Sequence, residues 1–432
     1  MSNKVYTSVK QNIRPKLRFP EFQAAQEWEI KLLGDLIYYE NGKAHEQNIS
    51  DMGKYIVVNS KFISTEGEVK KFTNDGLCIA NKGDILMVLS DVPNGKAIAK
   101  CFLVGQDELY TVNQRICLIK PKSSVSEFIY YIINRNPFYL NFDDGVKQTN
   151  LRKDDVLSCP IIVPSSKKEQ QKIADCLSSI DELITAERKK LDALKTYKKG
   201  LIQQLFPAED ETFPKLRFPE FIDSGNWKKM RVVDIASKEI KWSFTGGPFG
   251  SNLKSSDYTN TGIRVIQLQN IGDGEFVDNY KIYTSENKAN ELLSCNIYPG
   301  EIILSKMGDP VARACLVPDK DKRYVMCSDG IRLAVDKNKF DNYFIYSLIN
   351  SEIFRAIAEK SSTGSTRKRI GLDILKNLKV MVPMIQEQQK IAELLSLVDD
   401  FITNQCKKMD ALKNHKKGLM QQLFPTMNEL KG

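Results

Sequence analysis

An eight-residue segment, Pro15-Lys-Leu-Arg-Phe-Pro-Glu-Phe22, returns unchanged as Pro214-Lys-Leu-Arg-Phe-Pro-Glu-Phe221, and a longer echo follows it. Residues 169–207 open with Glu169-Gln-Gln-Lys-Ile-Ala174 and close with Phe206-Pro207; they reappear at 387–425 with 26 of 39 positions identical. A period of about 200 residues makes each copy a domain, because a solenoid turn repeats every 20–50 residues. The chain is therefore two copies of one unit, and such a duplication is expected to hold two sites on one molecule.

The end of each copy has a heptad seam. Ile173, Leu177, Ile180, Ile184, Leu191, Leu194, Leu201 and Leu205 fall at alternating steps of three and four once the polar positions Glu187 and Lys198 are included. The second copy matches with Ile391, Leu395, Val398, Ile402, Met409, Leu412, Leu419 and Leu423, interrupted by Gln405 and Lys416. This predicts two helices of roughly 55–60 Å, preceded by Pro164 and Pro383 and closed by Pro207 and Pro425. Each helix could pack as a solvent-facing amphipathic element on its own domain, but two narrow stripes on one chain are buried most simply against each other, as an intramolecular coiled coil. Length alone leaves the direction open; a pseudo-two-fold arrangement of the halves would make it antiparallel. Gly200 and Gly418 weaken these helices by about 1 kcal/mol each relative to Ala, and close backbone approach is the one reason the sequence offers for them.

Upstream of each helix the copies diverge on a shared skeleton. Trp28 and Asp35 answer Trp227 and Asp234 at an offset of 199, whereas Gly83-Asp-Ile-Leu-Met87 answers Gly300-Glu-Ile-Ile-Leu304 at 217. The second copy has gained 18 residues between these landmarks, with Gly246-Gly-Pro-Phe-Gly-Ser-Asn-Leu-Lys254 the expected place. Strand patterns at 55–58, 78–80, 85–89, 262–268 and 302–304 are separated by Gly, Asn and Asp turns, and helical spacing appears at 126–133 and 341–359. The expected fold class is α+β. Mixed α/β domains occupy 15–165 and 214–384, and the long repeated helices occupy 166–207 and 385–425.

A balance of 42% hydrophobic and 27% charged residues is that of a soluble globular chain, and no apolar run approaches the roughly 20 residues of a membrane span. Residues 1–11 are polar with no apolar signal core, so a cytoplasmic chain is the expectation. Nine scattered cysteines without a Cys-x-x-Cys pair, and only two histidines, read as buried free thiols and no metal site. The net charge of +9 suits a polyanionic partner.

A variable domain followed by Val-Pro, Glu-Gln-Gln-Lys-Ile-Ala and a long helix, twice over, resembles the specificity subunit of a type I restriction-modification system. Gly247-Pro-Phe-Gly-Ser-Asn-Leu253, Asn270-Ile-Gly-Asp-Gly274 and Pro299-Gly-Glu-Ile-Ile303 add to the resemblance, which covers nearly the whole chain. It implies two target recognition domains, each reading one half of a bipartite, asymmetric DNA sequence. The helices would form an antiparallel coiled coil that separates the domains and helps hold two methylation subunits. It further implies no catalysis in this chain: partner subunits bind S-adenosylmethionine, ATP and Mg and carry out adenine methylation and restriction. The absence of a Gly-x-x-x-x-Gly-Lys-Ser/Thr run agrees. Asn136-Pro-Phe-Tyr139 looks like part of an adenine methyltransferase motif, and Pro318-Asp-Lys-Asp-Lys322 like a nuclease pattern; a capped helix terminus and a charged turn are the preferred readings. From physics alone, a coiled-coil scaffold binding protein partners explains the duplication equally well.

Base reading needs Arg for guanine and Asn or Gln for adenine, while phosphate contacts need cations, hydroxyls or backbone amides. A polar stretch at 145–150 in the first copy stands in register with 364–369 in the second, at an offset of 219. The candidate DNA-binding residues are Lys147, Gln148, Thr149, Asn150, Arg152 and Lys153 in the first, and Ser365, Thr366, Arg367, Lys368 and Arg369 in the second. Ser251, Asn252 and Lys254 join them, from a Gly-rich stretch that permits close approach to a phosphate, as does Lys306, which with Arg313 flanks the turn 307–310.

Overall fold

A computed structural model describes residues 13–93, 95–364 and 367–427. They divide into two compact units. Unit 1 takes residues up to Arg188 together with those from Lys408 onward, and unit 2 spans Lys189–Lys407. The long helices, Lys167–Leu205 and Ile385–Leu423, are therefore each shared between units. Unit 1 holds the first half of one and the last half of the other.

Each unit is built on an antiparallel four-stranded sheet. In unit 1 its order is Ile37–Asn41, Ile116–Pro121, Ile85–Val88, Cys101–Leu103; in unit 2 it is Phe244–Gly246, Gly330–Leu333, Ile302–Ser305, Ala314–Leu316. The central strands are mostly apolar and buried apart from Lys120 and Pro121, because both faces are covered. A second sheet mixes parallel and antiparallel pairs, with four strands in unit 1 and five in unit 2. A two-stranded ribbon, Glu29–Leu32 on Pro160–Val163 or Lys228–Arg231 on Lys379–Val382, leads into each long helix. The helical stretch expected at 341–359 is two helices, Asn342–Ile349 and Glu352–Lys360, because Ser351 caps the second by accepting from Phe354 N.

Strand register corrects the placement of the 18-residue gain. Ile119 opposes both Tyr39 and Ile85, and Leu333 opposes both Phe244 and Ile302, so Tyr39 is equivalent to Phe244 at an offset of 205. Val58 against Val112 and Ile266 against Met326 set the next offset at 208. The gain is distributed: six residues precede Phe244, three lie between it and Ile266, and nine lie between Ile266 and Ile302. Sequence landmarks could not resolve this because the intervening turns share no residues.

The repeated segments meet in one buried clamp per unit. Arg18 Nε and Nη2 donate to the two carboxylate oxygens of Glu169 at 2.7 and 2.8 Å, and Trp28 Nε1 donates to the same carboxylate at 3.1 Å. In unit 2 Arg217 grips Glu387 at 2.8 and 2.8 Å, with Trp227 at 3.1 Å. The next residue of the motif ties the helix start to a neighbouring helix: Gln170 accepts from Val125 N, and Gln388 accepts from Asp341 N. The octapeptide also holds a helix end. Leu17 N donates to Gln422 O at 3.0 Å and Leu216 N to Gln204 O at 2.9 Å, so each copy of the octapeptide grips the start of one long helix and the end of the other.

Along the helices the seam faces inward. Ile173, Leu177, Leu191, Leu201 and Leu205 are buried and Ile180, Ile184 and Leu194 half-buried. Ile391, Leu395, Val398, Met409 and Leu423 are buried on the second helix, with Ile402, Leu412 and Leu419 half-buried. In unit 1 Asp181 pairs with Lys416 at 2.6 Å and Glu187 with Lys408, so the half-helices run antiparallel. In unit 2 Lys198 pairs with Asp399 at 2.7 Å, the same pair displaced by 218 residues with the roles exchanged. Three of the four polar interruptions of the heptad, Glu187, Lys198 and Lys416, thus carry register-setting ion pairs. Close backbone approach does not explain Gly200 and Gly418: a Cβ on either would face open space.

All nine cysteines are free; seven are buried, and Cys176 and Cys406 are half-buried on the long helices. Burial pushes the Cys117 thiol up to about 12. Among the described residues no helix is long and apolar enough to cross a membrane.

Two predictions follow from the clamp and the helix glycines. Glu387→Ala strands a buried guanidinium and should destabilise unit 2 by about 3–5 kcal/mol, whereas Arg217→Met with Glu387→Leu should recover most of that loss; thermal unfolding of the full chain measures both. Gly200→Ala and Gly418→Ala should each stabilise by about 1 kcal/mol in the same assay.

Candidate nucleic-acid interface

Both four-stranded sheets end, at the same edge, in a cluster of four chain segments held by the same backbone bonds. In unit 1 Gly42 N donates to Ile116 O at 2.9 Å, Leu89 N to Arg115 O at 3.0 Å and Leu151 N to Leu89 O at 2.8 Å, while Asn150 pairs with Ser90. In unit 2 Gly247 N donates to Gly330 O at 2.8 Å, Lys306 N to Asp329 O at 2.7 Å and Ile370 N to Lys306 O at 2.9 Å, while Arg369 pairs with Met307. The register between 145–150 and 364–369 seen in the sequence is thus a register of structure.

One glycine per cluster is demanded by packing. A Cβ on Gly42 would lie 2.1 Å from Asn113 O, and one on Gly247 1.8 Å from Cys327 O. Gly247 is small because two chain segments approach closely there, whereas Gly250, the glycine of the stretch read as permitting approach to a phosphate, faces open space.

The side chains differ between the two scaffolds. In unit 1 Lys147, Gln148 and Asn150 are exposed, with Gln148 Nε2 donating to Ser90 Oγ at 2.7 Å and to Asn150 Oδ1 at 3.2 Å. Thr149 is a correction: strand alternation turns it inward, where its hydroxyl donates to Asp143, so it offers no side chain to a ligand. Arg152 is exposed as the residue preceding helix Lys153–Leu157, and the Lys153 ammonium sits over the Tyr39 ring, 5.8 Å from its centroid. The structure adds two residues that the sequence reading missed, Gln114 and Arg115, both exposed on the turn entering strand Ile116–Pro121. Their signal was a polar Asn-Gln-Arg triplet set between two apolar strands.

In unit 2 Ser251, Asn252 and Lys254 are exposed on the loop that also carries Phe249, which is 84% exposed. Lys306 is half-buried and its ammonium donates to Ser328 O at 2.9 Å. Burial pushes this ammonium below the ordinary lysine range, opposed by the Asp329 carboxylate. Arg369 Nη2 donates to Asp329 Oδ1 at 3.1 Å, Lys368 is paired with Glu359, and Arg367 is exposed. Arg313 donates to Ile271 O at 2.6 Å and Leu268 O at 3.3 Å, which commits it to the fold. Ser365 and Thr366 lie outside the described residues. Asn136 caps helix Pro137–Leu140 by accepting from Phe138 N, and Lys320 in the charged turn pairs with Asp278 at 2.9 Å. Among the described residues no group of three or more His, Cys, Asp or Glu side chains is placed to hold a metal ion.

Two copies of one mixed α and β domain, each ending in the same loop scaffold with different polar side chains, define a duplicated protein that presents one frame twice with different surface chemistry. The chain belongs to the type I restriction modification DNA specificity domain family, which matches residues 25–196 and 226–414. It is 24% identical over 424 residues to the type I restriction enzyme MjaVIII specificity subunit of Methanocaldococcus jannaschii, covering 94% of this chain and 93% of that one. The MjaIX specificity subunit of the same organism is 27% identical over 379 residues, covering 83% of this chain and 80% of that one. Among solved structures, the type I restriction-modification S subunit from M. genitalium shares the fold at a TM-score of 0.58 and 18% identity, covering 96% of this chain and all of that one. A chain from a structure describing complex assembly and conformational transition of a type I system gives 0.53 at 16% identity, covering 92% and 97%.

Proposed function

We propose that this chain is the specificity subunit of a type I restriction-modification complex in the cytoplasm. Each unit reads one half of a bipartite, asymmetric DNA target through its loop cluster, and the chain itself is not catalytic. Two methylation subunits, with restriction subunits, supply the S-adenosylmethionine, ATP and Mg chemistry on adenine and on the DNA backbone. The observation that carries this reading is the identity of the two loop scaffolds beside the difference of their side chains. Leu89, Arg115 and Asn150 in unit 1 stand where Lys306, Asp329 and Arg369 stand in unit 2. Equal frames with unequal donors and acceptors read unequal half-sites. Arg115 and Asn150 offer guanine and adenine chemistry in unit 1; Arg367 and Arg369, with Lys254 and Lys306 nearby in the sequence of loops, offer guanine and phosphate chemistry in unit 2.

Arg367→Ala with Arg369→Ala should weaken DNA binding by the assembled methylation complex and lower its salt slope by about 1–2, the counterion release of one or two phosphate contacts. Arg115→Ala should do the same for unit 1 or relax one base of its half-site. An unchanged affinity and salt slope in both variants would remove the loop clusters from the interface. Matched seven-residue insertions after Ala186 and Asn404 keep the heptad phase and should change the unread spacer while both half-sites persist. Modified-base sequencing of DNA from a host expressing this chain with its methylation subunit reads the target directly. A gapped, asymmetric methyladenine motif that depends on this chain is the expected result; no new mark from a soluble, assembled complex would defeat the proposal.

A further inference from the structure

The two units differ in what faces one matched Lys and Gln pair of the long helices. In unit 2 the Glu352 carboxylate opens helix Glu352–Lys360 and is held from the first long helix by Lys199 Nζ at 2.6 Å and Gln203 Nε2 at 2.5 Å. The same two residues recur on the second long helix, 218 positions on, as Lys417 and Gln421 in unit 1. Their counterpart for Glu352 is missing. Unit 1 has Pro137 as the first residue after the cap Asn136, where unit 2 has Glu352 after the cap Ser351. The helix that follows is four residues long instead of nine. An open groove of about 760 Å³ stands there, lined by Lys417, Met420, Gln421 and Phe424 from the end of the second long helix and by Pro137 and Phe138.

The groove has one sign of charge. Arg135, Lys413, Lys416 and Lys417 line it and no Asp or Glu does. Lys416 is paired with Asp181, whereas Lys413 and Lys417 make no ion pair among the described residues. Unit 2 shows what this Lys and Gln pair holds when it is filled: a side-chain carboxylate next to apolar residues, with Phe354 buried two positions beyond Glu352. We propose that the groove of unit 1 is a docking site for an acidic segment of a partner protein. A Glu or Asp sits between Lys417 and Gln421, and a large apolar side chain beside it covers Met420 and Phe424. A free carboxylate would leave those apolar walls uncovered, and a nucleic-acid backbone would bring phosphate without the apolar complement. Among the described residues the Lys and Gln pair faces a groove in unit 1, while in unit 2 it is occupied by Glu352.

The test uses the full chain and a fluorescein-labelled peptide, EELFELLK, with its glutamine counterpart QQLFQLLK as the control for charge. The acidic peptide should bind saturably in an anisotropy titration and about tenfold tighter than the control, the effect of one charge-assisted hydrogen bond. Lys417→Ala with Gln421→Ala, both exposed positions, should abolish that difference. Pro137→Glu places a carboxylate where unit 2 has one, and should close the groove and remove binding while the fold is kept. Equal affinity for the two peptides, or undiminished binding to Pro137→Glu, would overturn the proposal. Displacement of the peptide by a short random-sequence DNA duplex would assign the groove to nucleic acid and overturn it as well.

Discussion

A buried carboxylate gripped by an arginine and an indole holds each half of this protein together. Glu169 and Glu387 are almost fully enclosed, and each accepts three hydrogen bonds from side chains at least 140 residues away in the chain. A lone buried carboxylate would be untenable; bidentate guanidinium pairing makes it specific instead of merely tolerable. The clamp fixes where a long helix leaves its domain, and the octapeptide that supplies the arginine binds the end of the other long helix through Leu17 or Leu216. The strict repetition of these segments follows from this. Each residue of the clamp meets a partner that is itself repeated, so a change at one of them must be matched at its partner in the same unit.

The loop clusters obey the opposite rule. Their frame is set by backbone bonds and by the tight crossings at Gly42 and Gly247, which ask nothing of the neighbouring side chains. Lys306 can replace Leu89, and Arg369 can replace Asn150, without moving the chain. A surface built this way changes its donors and acceptors while the scaffold beneath stays constant. That separation lets one fold carry two different surfaces, and it explains why the domains diverge where the helices do not.

Much of this was legible beforehand. The heptad seam reads directly as burial because a 3.5-residue period can be satisfied by one face alone, and the apolar strands 85–88 and 302–305 announce themselves by composition. The candidate surface was legible in part: 145–150 and 364–369 were found, but Arg115 was not, since it joins them only through the Leu89–Arg115 backbone bond. Thr149 was misplaced for a related reason, because a two-residue strand shows no alternation that a sequence can reveal. The distributed 18-residue gain needed strand partners before it could be seen at all.

The amino-acid sequence by itself determined that the protein is a duplication, that each copy ends in a long helix with a buried stripe, and that its variable parts are α+β domains. These are periodic or repeated patterns, and local chemistry is enough to express them. Only the tertiary structure decided how the repeats are shared out. Unit 1 contains the start of the first helix and the end of the second, and unit 2 the converse, so the sequence repeat is not the structural one. The reason is the antiparallel pairing of the half-helices. Asp181 meets Lys416 and Lys198 meets Asp399 across more than 200 residues of chain, a match that no local pattern encodes.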